Sequence, residues 1–401
     1  MKEQILKLVF LTLIIVLVFS CKKDHPIVSA TGITVSPVTI SLTVTNSDTL
    51  KATISPVNVT DKTINWSSSN TDIATVSSSG IVKGVSVGNA IITATTTDGN
   101  FTSNCTVLVI NKWTTYMKNN GLANDTVQAI AIDAQGNKWF GTKAGISKFD
   151  GTHWTTYNTT NSGLVSNDVR TIAIDVNGNK WFGTWEGISK FDDASWTTYN
   201  TFNTSYGLGN NKVVIITIDG QNNKWIGTYG GGISKFDGNT WTPYLYGNYV
   251  ISIDIDKQGN KWIGTWGNGL LKFNGTNWAT YSSGDIGFNV TAFDALGTKW
   301  IGTQASGLMT FDDNNWVTYT TDNSGLSHMC IHAISIDAKG IKWFGTFGGG
   351  VSNLNGSIWT TFNTTNSGLS SNNVHAINID EKGNKWFGTF GGGVSEMQNE
   401  E

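Results

Sequence analysis

The chain is poor in the features that most often announce a function. Only 14% of its 401 residues are charged, and 26 basic against 29 acidic side chains leave a net charge of -3. Its lysines mostly recur singly at fixed positions, so no basic patch forms and nucleic acid is not an expected partner. There are three cysteines. Cys105 and Cys330 lie far apart in apolar strand patterns ("NCTVLVI", "HMCIHAISI"), which excludes a disulfide framework and predicts two buried free thiols. The five histidines form no dense metal-ligand motif. No catalytic set, metal site or cofactor is therefore assigned, and oligomeric state is left open.

One long apolar run is present, near the start. In "MKEQILKLVFLTLIIVLVFSC" two lysines precede residues 8 to 19. Twelve helical residues span roughly 18 Å, short of a hydrocarbon core of roughly 30 Å, so a cleaved export signal fits better than a membrane span. The stretch "VFSC" (18 to 21) resembles the lipobox of bacterial lipoproteins, and "CKKD" is similar to the starts of lipoproteins from Bacteroidetes. The resemblance implies a signal peptide over 1–20, lipidation of Cys21 and a polar tether over 21–30. It also implies a lipid-anchored place in the cell envelope, at the outer membrane.

Residues 31–110 read as short alternating strands divided by turn residues, the pattern of a β-sandwich. Trp66 is its only tryptophan and is expected in the core. The run "INWSSSNTDIATVSSSGIVKGVSVGNAIITAT" (64 to 95) resembles the bacterial Ig-like domain of group 2, which implies a spacer or adhesion module.

From residue 111 onward one pattern recurs, fullest in "WTTYNTTNSGLVSNDVRTIAIDVNGNKWFGTWEGISKFDD" (154 to 193). Its K-W-[FI]-G-T core begins at 138, 180, 224, 261, 299, 342 and 385. A leading Trp stands at 113, 154, 196, 241, 278, 316 and 359, so fourteen of the 17 tryptophans are periodic. Each unit of about 40 residues holds four short strand-like runs and no helical periodicity, the signature of a propeller blade. The fold class is all-β, an Ig-like sandwich followed by a seven-bladed propeller over 111–401. The last unit ends at "GVSEM" without its fourth strand. "WTTYM" (113 to 117) stands ahead of the first unit and supplies it, so the ring closes without an open edge. The periodic tryptophans fill the wedge between blades. An Asp recurring as Asp133, Asp175, Asp219, Asp256, Asp337 and Asp380 caps its own turn.

The repeats resemble the two-component regulator propeller of periplasmic sensors, as in "NNVHAINIDEKGNKWFGTFGGGVSEM". That likeness implies a sensing or binding role. Function is expected on the face where the loops into strand one meet the loops between strands two and three. There the residue after K-W-[FI]-G-T reads Lys143, Trp185, Tyr229, Trp266, Gln304, Phe347 and Phe390. Five aromatics in glycine-rich loops suit sugar rings or a peptide. A second column inside strand one reads Gln128, Arg170, Val214, Ile251, Asn289, His332 and His375, with Tyr249 and Asp168 just ahead of it. The candidate ligand-binding residues are Trp185, Tyr229, Trp266, Phe347, Phe390, Arg170, Tyr249, His332 and His375. The loops led by Trp241 and Trp278 are short and predict a low rim beside Tyr229 and Trp266. The leading function is an anchored, extracytoplasmic protein binding a glycan or similar polar polymer. A scaffold or adhesion protein with a protein partner is one alternative. A polysaccharide lyase or hydrolase using His332 or His375 as general base is the other.

Overall fold

The computed structural model describes residues 26–281 and 287–399. The expected signal peptide, Cys21 and the first part of the tether lie outside them. Among the described residues no helix is long and apolar enough to cross a membrane. The chain divides into two compact units, one ending at Ile110 and one beginning at Asn111.

In the first unit alternation of apolar and polar residues gives strands with one buried face. Thr102–Ile110 is typical, burying Cys105, Val107 and Val109 while Thr106 and Leu108 face out. It lies in a four-stranded sheet beside Thr39–Thr43 and Gly88–Thr96, with Ile64–Ser68 at the far edge. Two smaller sheets complete the sandwich around Ala74, Val82 and Ile92. Trp66 departs from expectation. It is half-buried at the rim of this core, where its ring covers Gly80.

The second unit forms seven four-stranded antiparallel sheets. The first comprises Val127–Ile132, Lys138–Thr142, Gly145–Phe149 and Trp154–Tyr157. The innermost strands neighbour one another around a closed ring, and Val127–Ile132 packs beside both Val169–Ile174 and Val374–Ile379. The last sheet is completed from the other end of the unit, by Trp113–Tyr116 on Val394–Met397. The Tyr116 hydroxyl donates to Glu396 Oε2 at 2.9 Å, and Trp113 stacks on Phe387.

The conserved spelling of each unit has a mechanical reason. The turn Asp accepts backbone N–H groups from the turn itself and the indole N–H of the strand-two Trp, at 2.8–3.2 Å in all seven sheets. The seventh carboxylate is Asp294, in "FDALG", absent from the six-member series read in the sequence. Around the ring, the lysine before each Trp sets its ammonium 4.7–5.3 Å from the Trp ring of the preceding sheet. At three joints it also reaches that sheet's Asp, as Lys224 does Asp175 at 3.3 Å. The strand-two glycine lets the next sheet approach. A Cβ on Gly227 would sit 2.5 Å from Val250 Cγ1 and 2.6 Å from Ile215 Cγ2.

Two outcomes are expected. Deleting 111–118 opens the last sheet and lowers Tm by about 10 °C or more. Scanning calorimetry checks this, with limited proteolysis cutting first beyond Leu369; an unchanged Tm contradicts it. The second concerns acid. Burial pushes the carboxyls of Asp133, Asp175, Asp219, Asp256 and Asp380 up, but their hydrogen bonds from Trp, Asn and backbone outweigh it and hold them below the usual range. Groups depressed on folding stabilise above the unfolded value of about 3.9 and lose that contribution as pH falls through the folded value. Denaturant midpoints should therefore fall steeply below about pH 4, and much less so in Asp219→Asn, which is already weakened at neutral pH.

Candidate functional site

Strand one of every sheet carries a β-bulge between its first and third residues. A bulge leaves one residue unpaired and re-aims its side chain. The seven residues so released are Gln128, Arg170, Val214, Ile251, Asn289, His332 and His375. All seven line a single cavity of about 550 Å³ at the mouth of the ring. The column read from the sequence is thus a column of bulges.

The aromatic column is held above it by two repeated contacts. The Thr of K-W-[FI]-G-T donates its hydroxyl to a glycine carbonyl across the loop at 2.7–3.0 Å. In six sheets the next residue's backbone N–H donates to the carbonyl just ahead of a strand one, as Tyr229 does to Lys212 and Trp266 to Tyr249. Trp185, Tyr229, Trp266, Gln304 and Phe347 line the cavity, together with Tyr249. Phe390 is set back from the lining. It packs on His375 with ring centroids 5.7 Å apart and carries Lys143 Nζ 4.9 Å from its centroid.

The rings are not equivalent. Trp185 carries the Arg170 guanidinium at 4.5 Å and Lys212 Nζ at 5.1 Å. Tyr229 is met by the edge of Tyr249 at 4.6 Å. Phe347 lies against His332 and His375. Trp266 is 49% exposed, with no ring or cation contact recorded among the described residues. It is the freest stacking surface at the mouth.

On the opposite side His332 and His375 stack, with centroids 4.6 Å apart. Burial holds both below the ordinary histidine value, His375 down to about 4 with help from the charges of His332, Arg170 and Lys143. Both rings are therefore neutral at neutral pH. His375 Nε2 is buried without a partner. Cys330 corrects the sequence reading. It lies one residue ahead of Ile331–Ile336, half-buried in the cavity wall, with Sγ 3.4 Å from His332 Nε2. Burial raises its thiol. Cys105 is fully buried as expected. Arg170 pairs with Asp168 at 3.0 Å, and Gln128 Nε2 donates to the same carboxylate at 2.6 Å.

Asp168 and Tyr249 were read from the sequence; Cys330 and Lys212, which hold the matching position in their own sheets, were missed there. Each occupies the position immediately before strand one, a third variable column beside the bulge. The two sheets whose leading loops are short also differ locally. Strand three carries Leu271 and Met309 where five other sheets place a Ser that accepts a leading-loop N–H, as Ser147 does from Ala123. Part of the rim expected to be low, residues 282–286, lies outside the described residues. Among the described residues no three His, Cys, Asp or Glu side chains are placed to hold a metal.

Comparison with known proteins agrees with this architecture. Residues 29–107 match the family profile of the bacterial Ig-like domain (group 2). An Ig-like virion protein of Serratia phage KSP90 is 42% identical over 84 residues, which is 21% of this chain and 33% of that protein. Among solved structures, the extracellular domain of a putative hybrid two-component system from B. thetaiotaomicron is similar with TM-score 0.65 and 24% identity, over 73% of this chain and 42% of that one. PorZ, a surface component of the type-IX secretion system of Porphyromonas gingivalis, is similar with TM-score 0.58 and 17% identity, over 79% and 52%. The chain thus spans well under two thirds of each of these relatives, and likeness at this identity establishes the fold.

The histidine environment predicts a titration. By NMR, His375 should protonate with a midpoint near 4, far below the ordinary value of about 6.5. Its contribution to stability is complete above about pH 6.5 and is lost as pH falls toward 4, because the unfolded chain takes up the proton first. A midpoint near 6.5 contradicts the burial described.

Proposed function

We propose that the protein is an extracytoplasmic binding protein, anchored by a lipid on Cys21, whose propeller mouth holds a glycan or similar polar polymer. The observation that carries this reading is the mouth itself. Trp266, Tyr229, Tyr249 and Phe347 present half-exposed rings over a cavity of about 550 Å³, a volume in the range of small-ligand sites. Beneath them lie Gln128 and Asn289, and Gln304 stands among the rings, amides that carry no charge. Flat apolar faces above neutral polar groups match a sugar ring, which has C–H faces and a hydroxyl rim. The extracellular setting of structural relatives and the lipobox-like "VFSC" support the proposed location. On this reading the Ig-like domain is a spacer.

A screen of the purified protein against a glycan array tests the proposal. Trp266→Ala should weaken any bound glycan by about tenfold or more, the loss of one free stacking face. Trp185→Ala should cost less, since cations already cover that ring. No glycan retained by the wild type, or binding indifferent to Trp266→Ala, overturns the reading. Binding of a folded protein partner instead would favour the adhesion alternative.

A further inference from the structure

The proposed glycan site has a charge pattern that its neutral floor does not explain. Arg170 is the single ion among the cavity-lining residues. It is not isolated. Lys212 Nζ lies 5.1 Å from the Trp185 ring centroid and 5.8 Å from that of Tyr229. Lys143 Nζ lies over Phe390. Arg170 and Lys143 are both near enough to His375 to oppose its protonation. Three cations are therefore fixed beside the rings at the mouth.

Among the described residues, no carboxylate lines the cavity. Asp168 is held by Arg170 and Gln128. Glu186, which follows Trp185 in the chain, lies outside the cavity lining, as Lys212 and Lys143 do. Asp254, deeper on the inner strand Val250–Ile255, is pushed up to about 7 by burial, which mutes its charge. The Arg170 guanidinium gives one terminal nitrogen to Asp168, and its Nε is buried without a partner. Its other terminal nitrogen has no hydrogen-bond partner among the described residues. That remaining terminal nitrogen is suited to a charge-assisted bond to a carboxylate or sulfate oxygen.

Resting on the glycan reading, we propose that the mouth selects an acidic sugar: one ring stacks on Trp266, and a carboxylate or sulfate is met by Arg170 with Lys212 and Lys143 around it. The cations sit in a concave site with apolar walls, where their attraction is screened less than on an open surface.

Matched pairs of oligosaccharides test this by calorimetry. One pair compares a uronate-containing oligosaccharide with its neutral counterpart, and another compares a sulfated with a desulfated one. The acidic member of at least one pair should bind about tenfold tighter or more, and which pair responds names the acid group. The preference should fall severalfold in Arg170→Met and in the rim variants Lys212→Gln and Lys143→Gln, and should shrink as salt is raised. The lysine variants keep the test valid where Arg170→Met fails to fold. Equal binding of acidic and neutral members, both lost in Trp266→Ala, overturns the charge proposal and leaves the glycan reading standing. No binding by any member overturns both.

Discussion

The contact on which the propeller depends is the hydrogen bond from a buried indole N–H to the carboxylate of a turn. Each sheet has one. It joins the turn between strands one and two to the middle of strand two, so it fixes the hairpin that carries the inner strand. A charge-assisted bond of this kind is worth about 1.5–3 kcal/mol, and leaving either partner unpaired and buried costs more. The carboxylate also aligns the joint to the next sheet, because the neighbouring lysine settles over the Trp ring and, at three joints, on the Asp. Sheet stability and ring assembly are thus set by the same side chains. A repeat whose neighbours are held this way needs no conserved sequence on its other face.

That separation explains where variation sits. The turn face repeats the same Asp, Gly and Trp because each has a geometric duty. The mouth face is built from positions that the ladder leaves free. The bulge residue has no cross-strand partner, the residue before strand one contributes only its carbonyl, and the residue after the Thr contributes only its N–H. Backbone contacts hold all three positions, so their side chains vary without loss of the fold. Three variable columns converging on one cavity are what a ring of identical blades yields when only backbone is required there.

Much of this was legible in the sequence, for physical reasons. The period, the four strands and the closing segment follow from regular hydrophobic patterning and from an unpartnered "WTTYM" at one end. The aromatic column was legible because it follows an invariant motif. Asp294 was missed because Phe293 stands before it where an Ile precedes each of the other six, although the Trp six residues later marks it. Cys330 was misplaced because it sits between Met329 and Ile331 in "HMCIHAISI" and reads as part of the strand; that the strand begins one residue later, with a bulge at His332, cannot be seen in hydrophobicity. The unequal worth of the rings was equally hidden. Only three-dimensional packing puts Arg170 and Lys212 on Trp185 and leaves Trp266 without a ring or cation contact among the described residues.

The asymmetry of the mouth is then a consequence of combining an even scaffold with uneven columns. On one side polar-tipped aromatics and cations share the rim. Elsewhere a stacked, neutral histidine pair, Phe347 and a protonated thiol make a softer wall, with Lys143 at its edge over Phe390. A ligand spanning such a mouth has a preferred direction even though the scaffold has near-sevenfold symmetry. A symmetric ring of rings would hold a ligand in several registers. One free Trp, one guanidinium and one apolar wall allow far fewer, and the bulges that aim them cost the sheets no more than one ladder position each.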